Sequence, residues 1–313
     1  MSSIRLTVPA TIANLGPGFD LIGMALDRPR DIVEVSLEEK GEDEVKVSGL
    51  YANDIPIDPN RNSAIVAARA VLKKLKKENF AIKMKIIKEI PTRRGLGSSG
   101  ASSIAGAYAV NYILGNPLRI EELIECATEG EKIACGSPHI DNIAPALFGG
   151  ITFISSFNPI KIIKLEPIRN AEILVLSPKI EIGVEKTKIA REILPKEIML
   201  KTMINQVQSF GNLIIGLMKK DLNLIGLGIS GDHVIEPARA KLIPKFYELK
   251  SKALENGAYG FSISGAGPSV FALVPKGEGK RIGEILSSIL KEDGILSEYS
   301  IHENSEDGVK LVS

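Results

Sequence analysis

Residues 91–102 read PTRRGLGSSGAS. Three glycines (Gly95, Gly97, Gly100) and three serines (Ser98, Ser99, Ser102) stand between Arg93–Arg94 and an apolar helical pattern that opens at Ala101. Glycine loses the most backbone entropy on folding, so such a stretch is costly as plain structure. A glycine-rich turn feeding a helix suits phosphate. The backbone approaches closely, its N–H groups converge, and the helix N-terminus adds partial positive charge. Ser98 and Ser99 offer hydroxyl oxygens to a phosphate or to Mg2+, which takes one or two protein oxygens and completes its shell with phosphate and water. The competing reading is a loop whose glycines only permit a tightly packed helix start.

GLGSSG satisfies G-x-G-x-x-G, but a dinucleotide loop follows its strand directly and is succeeded by a second strand. Here PTRR intervenes, and helical pattern continues to Leu114. No G-x-x-x-x-G-K-[ST] run occurs. A protein-kinase glycine loop would carry valine two residues after its last glycine, where this chain has Ser102.

Other polar residues sit in equally suggestive settings. In ANLGPGFD (13–20), Gly16, Pro17 and Gly18 form a turn. Asp20 then either caps a following helix or, with Asn14, projects into a cleft, where a carboxylate pairs with an ammonium and an amide holds a hydroxyl. Arg191 (TKIAREILP) and Arg239 (IEPARAKLIP) each follow an alanine in helical pattern and precede a proline. They are either solvated or a pair of guanidinium forks for one carboxylate. Thr187, one helical turn before Arg191, faces the same side. The segment EGEKIACGSPHIDN (129–142) gathers Glu131, His139, Asp141 and Asn142. In SISGAGPSVFAL (262–273), Gly265 and Gly267 let that turn approach another backbone, as substrate contact or as support for the first glycine loop.

Three of these segments carry a family resemblance. PTRRGLGSSGAS resembles the ATP motif of the GHMP kinases, P-x-x-x-G-L-G-S-S-A-A, with Gly100 where alanine is usual. VPATIANLGPGFDLIGMAL (8–26) resembles the N-terminal motif in its homoserine kinase form, and GAYGFSISGAGPSVFAL (257–273) the C-terminal glycine motif. Their order and spacing cover nearly the whole chain. The resemblance implies a two-domain α+β fold with the active site in the cleft between domains, an N-terminal domain over 1–160 and a C-terminal one over 161–313. It implies ATP-dependent phosphorylation of L-homoserine to O-phospho-L-homoserine, for threonine biosynthesis, with Mg2+. ATP contacts are then expected from Pro91, Thr92, Arg93, Arg94, Gly95, Leu96, Gly97, Ser98, Ser99, Gly100 and Ala101, with Asn62 at the adenine. Mg2+ is expected on Ser98 or Ser99 and on Glu131, with Glu129 as the alternative acid. Asn14, Asp20, His139, Asp141, Arg191, Arg239 and Gly265 are expected to hold the amino acid. Mevalonate-type members have an aspartate base near the place of Asn142. If Asn142 occupies it, an amide cannot take a proton. Either Asp141 then takes it, or nothing in the protein does and Asn142, Asp141 and Thr187 orient the reaction, which suits the loose transition state of phosphoryl transfer. The rivals are a GHMP kinase for mevalonate or shikimate, and a non-catalytic ATP-binding sensor. An ammonium-reading carboxylate with two arginines favours homoserine.

The elements that must position these residues follow from periodicity. IRLTVPA, DIVEVSLEE and DEVKVSG alternate as strands, the last two reading as a hairpin split by Gly41. SAIVAARAVLKKLKKE is helical, with Asn62 or Ser63 as N-cap. AIKMKIIKEI is a strand, ASSIAGAYAVNYILG a helix of small residues built for close packing, and IEELIECATEGEKIACG a second helix. Strands GGITFIS, IKIIKLEP and AEILVLSP follow, then helical pattern from VEKTKIAREIL through NLIIGLMKK and over LIPKFYELKSKALENG. A strand–turn–strand, the helix KRIGEILSSILKE and the strand LSEYSIHE close the chain. Strand groups mixed with helix groups indicate α+β.

Composition sets the bounds. The 313 residues carry 39 basic and 38 acidic side chains, a net +1, so no global field recommends nucleic acid or an anionic membrane. No long apolar leader and no 18-residue apolar run occurs, which points to a cytoplasmic protein without a membrane partner. Cys126 and Cys135 form no C-x-x-C pair, so neither a zinc site nor a disulfide framework is expected, only two reduced, mostly buried thiols. A homodimer is compatible with the sequence.

Overall fold

The computed structural model describes residues 3–180 and 186–312, except for the side chains of Lys186 and Thr187. Two sheets, each with its own helices, build the molecule. The first contains β1 (Ser3–Ala13), β2 (Ile22–Glu38), β3 (Glu44–Ser48), β4 (Ala81–Ile87), β5 (Ile151–Phe157), β6 (Ile160–Leu165) and the short β11 (Lys310–Leu311). Its order is β11-β1-β2-β4-β3, with β5 pairing both β2 and β6. The expected hairpin does not form. β4 inserts between β2 and β3, pairing antiparallel with the first and parallel with the second. Alternation in the two segments specified strands but not partners, because pairing is set by non-local burial. The sheet runs past residue 160 through β6 and takes back residues 310–311 from the chain's end.

Helices α1 (Ser63–Lys74), α2 (Ser98–Ile113), α3 (Ile120–Cys135) and α4 (Ile140–Phe148) pack together against this sheet, with α2 touching α1, α3, α4, β1 and β2. The small residues of α2 allow this. A Cβ on Gly106 would lie 2.0 Å from the Ala64 carbonyl oxygen of α1.

The second sheet contains β7 (Ala171–Pro178), β8 (Gly260–Ile263), β9 (Val270–Pro275) and β10 (Ser297–His302), in the order β10-β7-β9-β8. The long helical stretch read from the sequence is broken at Pro195 into α5 (Lys186–Glu192) and α6 (Leu200–Lys219). Then come α7 (Leu222–Ile229), the short α8 (Ile235–Arg239), α9 (Phe246–Glu255) and α10 (Gly279–Glu292), the last two packing on the second sheet. Among the described residues no helix is long and apolar enough to cross a membrane.

Candidate active site

A cleft of ≈ 350 Å³ lies between the two sheet systems. Its floor is the N-terminus of α2. Gly97 precedes the helix in the left-handed region, at φ 65°, and supplies no side-chain cap. The first intrahelical bond runs from the Ala101 N–H to the Gly97 carbonyl, at 2.9 Å. The N–H groups of Ser98, Ser99 and Gly100 therefore have no acceptor inside the helix, which makes an anion site.

Behind Gly97 lies a contact that the sequence did not signal. Thr11, on β1 just past a register shift after Pro9, donates its hydroxyl to Asn142 Oδ1 at 2.8 Å and its N–H to the Leu96 carbonyl at 3.1 Å. A Cβ on Gly97 would lie 1.8 Å from Thr11 Oγ1. With its carbonyl end so engaged, Asn142, which lines the cleft, has its NH2 left over as a donor. Gly100 also serves Asn142, since a Cβ there would come within 3.0 Å of the Asn142 Cβ. An alanine at this position would need Asn142 to give by a few tenths of an ångström.

Beneath the same helix start, Lys88 and Asp31 form a fully buried ion pair. Lys88 Nζ also donates to the Ser98 carbonyl at 3.0 Å and to Ser102 Oγ at 2.9 Å. Asp31 Oδ1 accepts the N–H groups of Glu89 and Ile90. The glycine loop thus rests on a charged clamp satisfied on every side.

The third glycine segment supports the first. Ser264 donates its hydroxyl to the Gly95 carbonyl at 2.6 Å, and the Gly265 carbonyl accepts from Asn14 Nδ2 (3.2 Å) and Arg239 Nη1 (3.0 Å). Asn14 accepts the Asp20 N–H on Oδ1 at 3.1 Å, so its amide holds the 14–20 loop while it lines the cleft. Asn14 and Asp20 both adopt positive φ (76° and 58°). These residue types tolerate that conformation best after glycine. No helix follows Asp20, because β2 begins at Ile22; the capping alternative is thereby removed.

Asp20 faces the arginines. Arg191 Nη2 donates to both of its carboxylate oxygens, at 3.1 and 2.9 Å. Arg239 donates Nε to the Ala190 carbonyl at 3.0 Å, and both guanidinium groups stand over the ring of Phe19, 5.5 and 5.0 Å from its centroid. Phe19 is a second residue that spacing did not reveal; cations favour an aromatic face. Burial draws the Arg239 pKa down to about 10, against the pull of Asp20, so the group stays charged at neutral pH.

His139 and Asp141 enter from the start of α4. His139 Nδ1 lies 2.9 Å from Glu131 Oε2. Burial disfavours the imidazolium, but hydrogen bonds to Cys135 and Glu131 outweigh it and hold the pKa up at about 11. Asp141 is 2% exposed, and its Oδ1 has no hydrogen-bond partner. Burial lifts its carboxyl to about 7; His139 opposes the rise, while Asp20 and Glu131 add to it. Glu131 is 1% exposed, and its Oε1 also lacks a partner. A buried carboxylate oxygen left unpaired beside a helix N-terminus fits a bound cation. Ser98 Oγ donates to the Ile90 carbonyl at 3.3 Å, and Ser99 Oγ lies 3.4 Å from Cys135 Sγ; both serines line the cleft.

Several expected contacts are relocated. Asn62 caps α1 through Oδ1 and donates Nδ2 to the Pro56 carbonyl at 2.8 Å, so its amide is spent on structure; its neighbours Arg61 and Ser63 line the cleft instead. Arg94 donates to the Pro178 carbonyl and lies outside the cleft lining, whereas Pro91, Thr92, Arg93 and Leu96 belong to it. Gly100 and Ala101 are buried behind the helix start, with only the Gly100 N–H left for an anion. Glu129 is exposed and paired with Lys132, whereas Glu131 lines the cleft. Cys126 is buried as expected, but Cys135 lines the cleft. The side chain of Thr187, expected beside Arg191, lies outside the described residues.

Known proteins match the chain over most of its length. The GHMP kinase N-terminal domain model matches residues 62–150, and the GHMP kinase C-terminal model matches 213–292. The chain is 41% identical over 278 residues to a homoserine kinase of Methanococcus maripaludis (89% of each chain). It is 40% identical over 298 residues to one of Pyrococcus abyssi (95% of this chain, 96% of the other). The crystal structure of homoserine kinase from Cytophaga hutchinsonii superposes with a TM-score of 0.90 at 38% identity, covering 100% of this chain and 98% of that one. Matched over its length in sequence and in fold, the chain belongs to the homoserine kinase family of the GHMP kinases.

Proposed function

We propose that the protein transfers the γ-phosphoryl group of ATP to the side-chain hydroxyl of L-homoserine. The product is O-phospho-L-homoserine, made in the cytoplasm for threonine synthesis. The observation that carries this reading is the Asp20–Arg191 ion pair standing in the cleft beside the α2 N-terminus. A zwitterionic amino acid inserts into such a pair by exchange. Its ammonium takes Asp20 and its carboxylate takes Arg191, with Arg239 as second fork. Mevalonate and shikimate bring a carboxylate but no ammonium, and would leave Asp20 uncompensated.

ATP lies with its phosphates on the N–H groups of Ser98, Ser99 and Gly100. Glu131 and the hydroxyl of Ser98 or Ser99 would hold Mg2+, which neutralises charge on the β- and γ-phosphates when bound. The Asn142 NH2 donates to the homoserine hydroxyl oxygen and fixes it in line with the γ-phosphorus. The new oxygen–phosphorus bond forms as the bond to the β,γ-bridging oxygen breaks, and ADP leaves. With an amide where a base would stand, the hydroxyl proton passes to a phosphoryl oxygen and then to solvent. Orientation and charge neutralisation supply most of the acceleration. Asp141 completes the amino-acid pocket with the partner its Oδ1 lacks.

The test is product identification. Purified protein, Mg2+, ATP and L-homoserine should yield ADP and one phosphate monoester in phosphorus NMR. ATP consumed to free phosphate alone would overturn the reading.

A further inference from the structure

Cys135 lines the cleft but has no part in the proposed binding of Mg2+ or of the amino acid. Glu131 and Cys135 are four residues apart on α3, one turn along one face. Gly136 ends that helix in the left-handed region at φ 76°, and the short segment beyond it returns His139 to Glu131 at 2.9 Å. One ligand atom from each of Glu131, Cys135 and His139 lies within 4.8 Å of the other two. A tetrahedral zinc ion, with bonds of ~2.0–2.3 Å, holds its ligand atoms roughly 3.3–3.7 Å apart, a distance that small side-chain shifts reach from this arrangement. Glu131 Oε1, moreover, is buried and unpartnered, free to take a cation.

We propose that Cys135 Sγ, a His139 ring nitrogen and a Glu131 carboxylate oxygen form a site for a borderline-soft divalent cation, Zn2+ foremost, at the rim of the phosphate loop. Thiolate and imidazole select such ions over Mg2+, which prefers oxygen throughout. Cysteine spacing alone makes no zinc site in this sequence; the third donor type comes from the fold. On coordination, the Cys135 thiol proton and the proton shared by His139 and Glu131 pass to solvent. The fourth position is left to water from the cleft. Because Glu131 is shared, Zn2+ and the productive Mg2+ exclude one another, so zinc inhibits. The inhibition rests on the proposed role of Glu131 with Mg2+, whereas the binding does not.

Co2+ gives the test, because a thiolate ligand produces a charge-transfer band in the near ultraviolet independent of any turnover. Metal-free protein titrated with Co2+ should develop this band at one equivalent per chain, and Zn2+ should bleach it. Cys135→Ser should abolish the band while keeping the wild-type circular dichroism. Cys126→Ser should retain it. In the kinase assay, the zinc concentration that halves activity should rise at least ~10-fold in Cys135→Ser. No band in the wild type, or one that survives in Cys135→Ser, would overturn the site. A cysteine-dependent band without phosphorylation of homoserine would uphold the site and sink the proposed function instead.

Discussion

Asp141, in the cleft, and Thr11, buried behind it, make the proposed mechanism testable. Asp141 is held by burial near neutrality in the free protein, at about 7. In the proposed role of a binding carboxylate it must be ionised to receive substrate, so kcat/KM for homoserine should fall as pH drops below about 7. The kcat profile, which reports the bound complex, should lack that limb. Asp141→Asn should remove the limb and raise KM at least ~10-fold, with a smaller loss in kcat. A normal KM with kcat down by roughly three orders would instead make Asp141 the general base. Thr11 acts through Asn142. Thr11→Val keeps the shape of the side chain and removes the hydroxyl that orients the amide. Steady-state kinetics should show kcat lower by about tenfold, the value of one hydrogen bond, with KM for ATP nearly unchanged.

At the scale of elements, the start of α2 is both the proposed phosphate cradle and the lid of a buried ion pair. Lys88→Met would leave Asp31 fully buried without its cation. Urea unfolding should register a loss of about 3–5 kcal/mol, and adding Asp31→Asn should recover part of it. Equal stability of the single and double variants would mean that the pair is not the clamp described. Elements of this kind were unevenly legible in the sequence. The glycine loop and the Asn62 cap were readable because their chemistry is local, confined to a few consecutive residues. Asn62 was also given a contact that its cap geometry cannot spare. Lys88 read as one more lysine in an alternating strand, because nothing nearby in sequence announces Asp31. Thr11 was equally silent: its partner is 131 residues away. The failed hairpin has the same cause, since β4 reaches its place between β2 and β3 only through the folded sheet.

The whole molecule is two sheet systems joined across the cleft by Ser264 on Gly95 and by the Gly265 carbonyl, which gathers Asn14 and Arg239. The three glycine segments made this assembly foreseeable as a set, though not which of them would touch substrate. Phe19 and the Asp20–Arg191 pair appear only when the halves meet. The cleft is costly to keep empty, and pH should reveal that. Asp141 rises from 3.8 when exposed to about 7 in the fold, so between those values the folded state holds a proton that the unfolded state has released. Its contribution to stability therefore declines as pH climbs through that window and levels above it. Asp141→Asn should gain on the wild type by on the order of 1 kcal/mol or more between pH 4 and pH 8, read as the difference between the two urea curves. A constant difference would mean that Asp141 titrates normally. The central claim is that this cleft phosphorylates a zwitterionic amino-acid alcohol. Its most direct test is the ratio of kcat/KM, from ADP release, for L-homoserine against mevalonate, shikimate and galactose. The account predicts that homoserine leads each of them by at least ~100-fold, the discrimination expected where charged groups would otherwise be left unpaired. A preference for mevalonate or shikimate, or ADP release indifferent to all four alcohols, would contradict it.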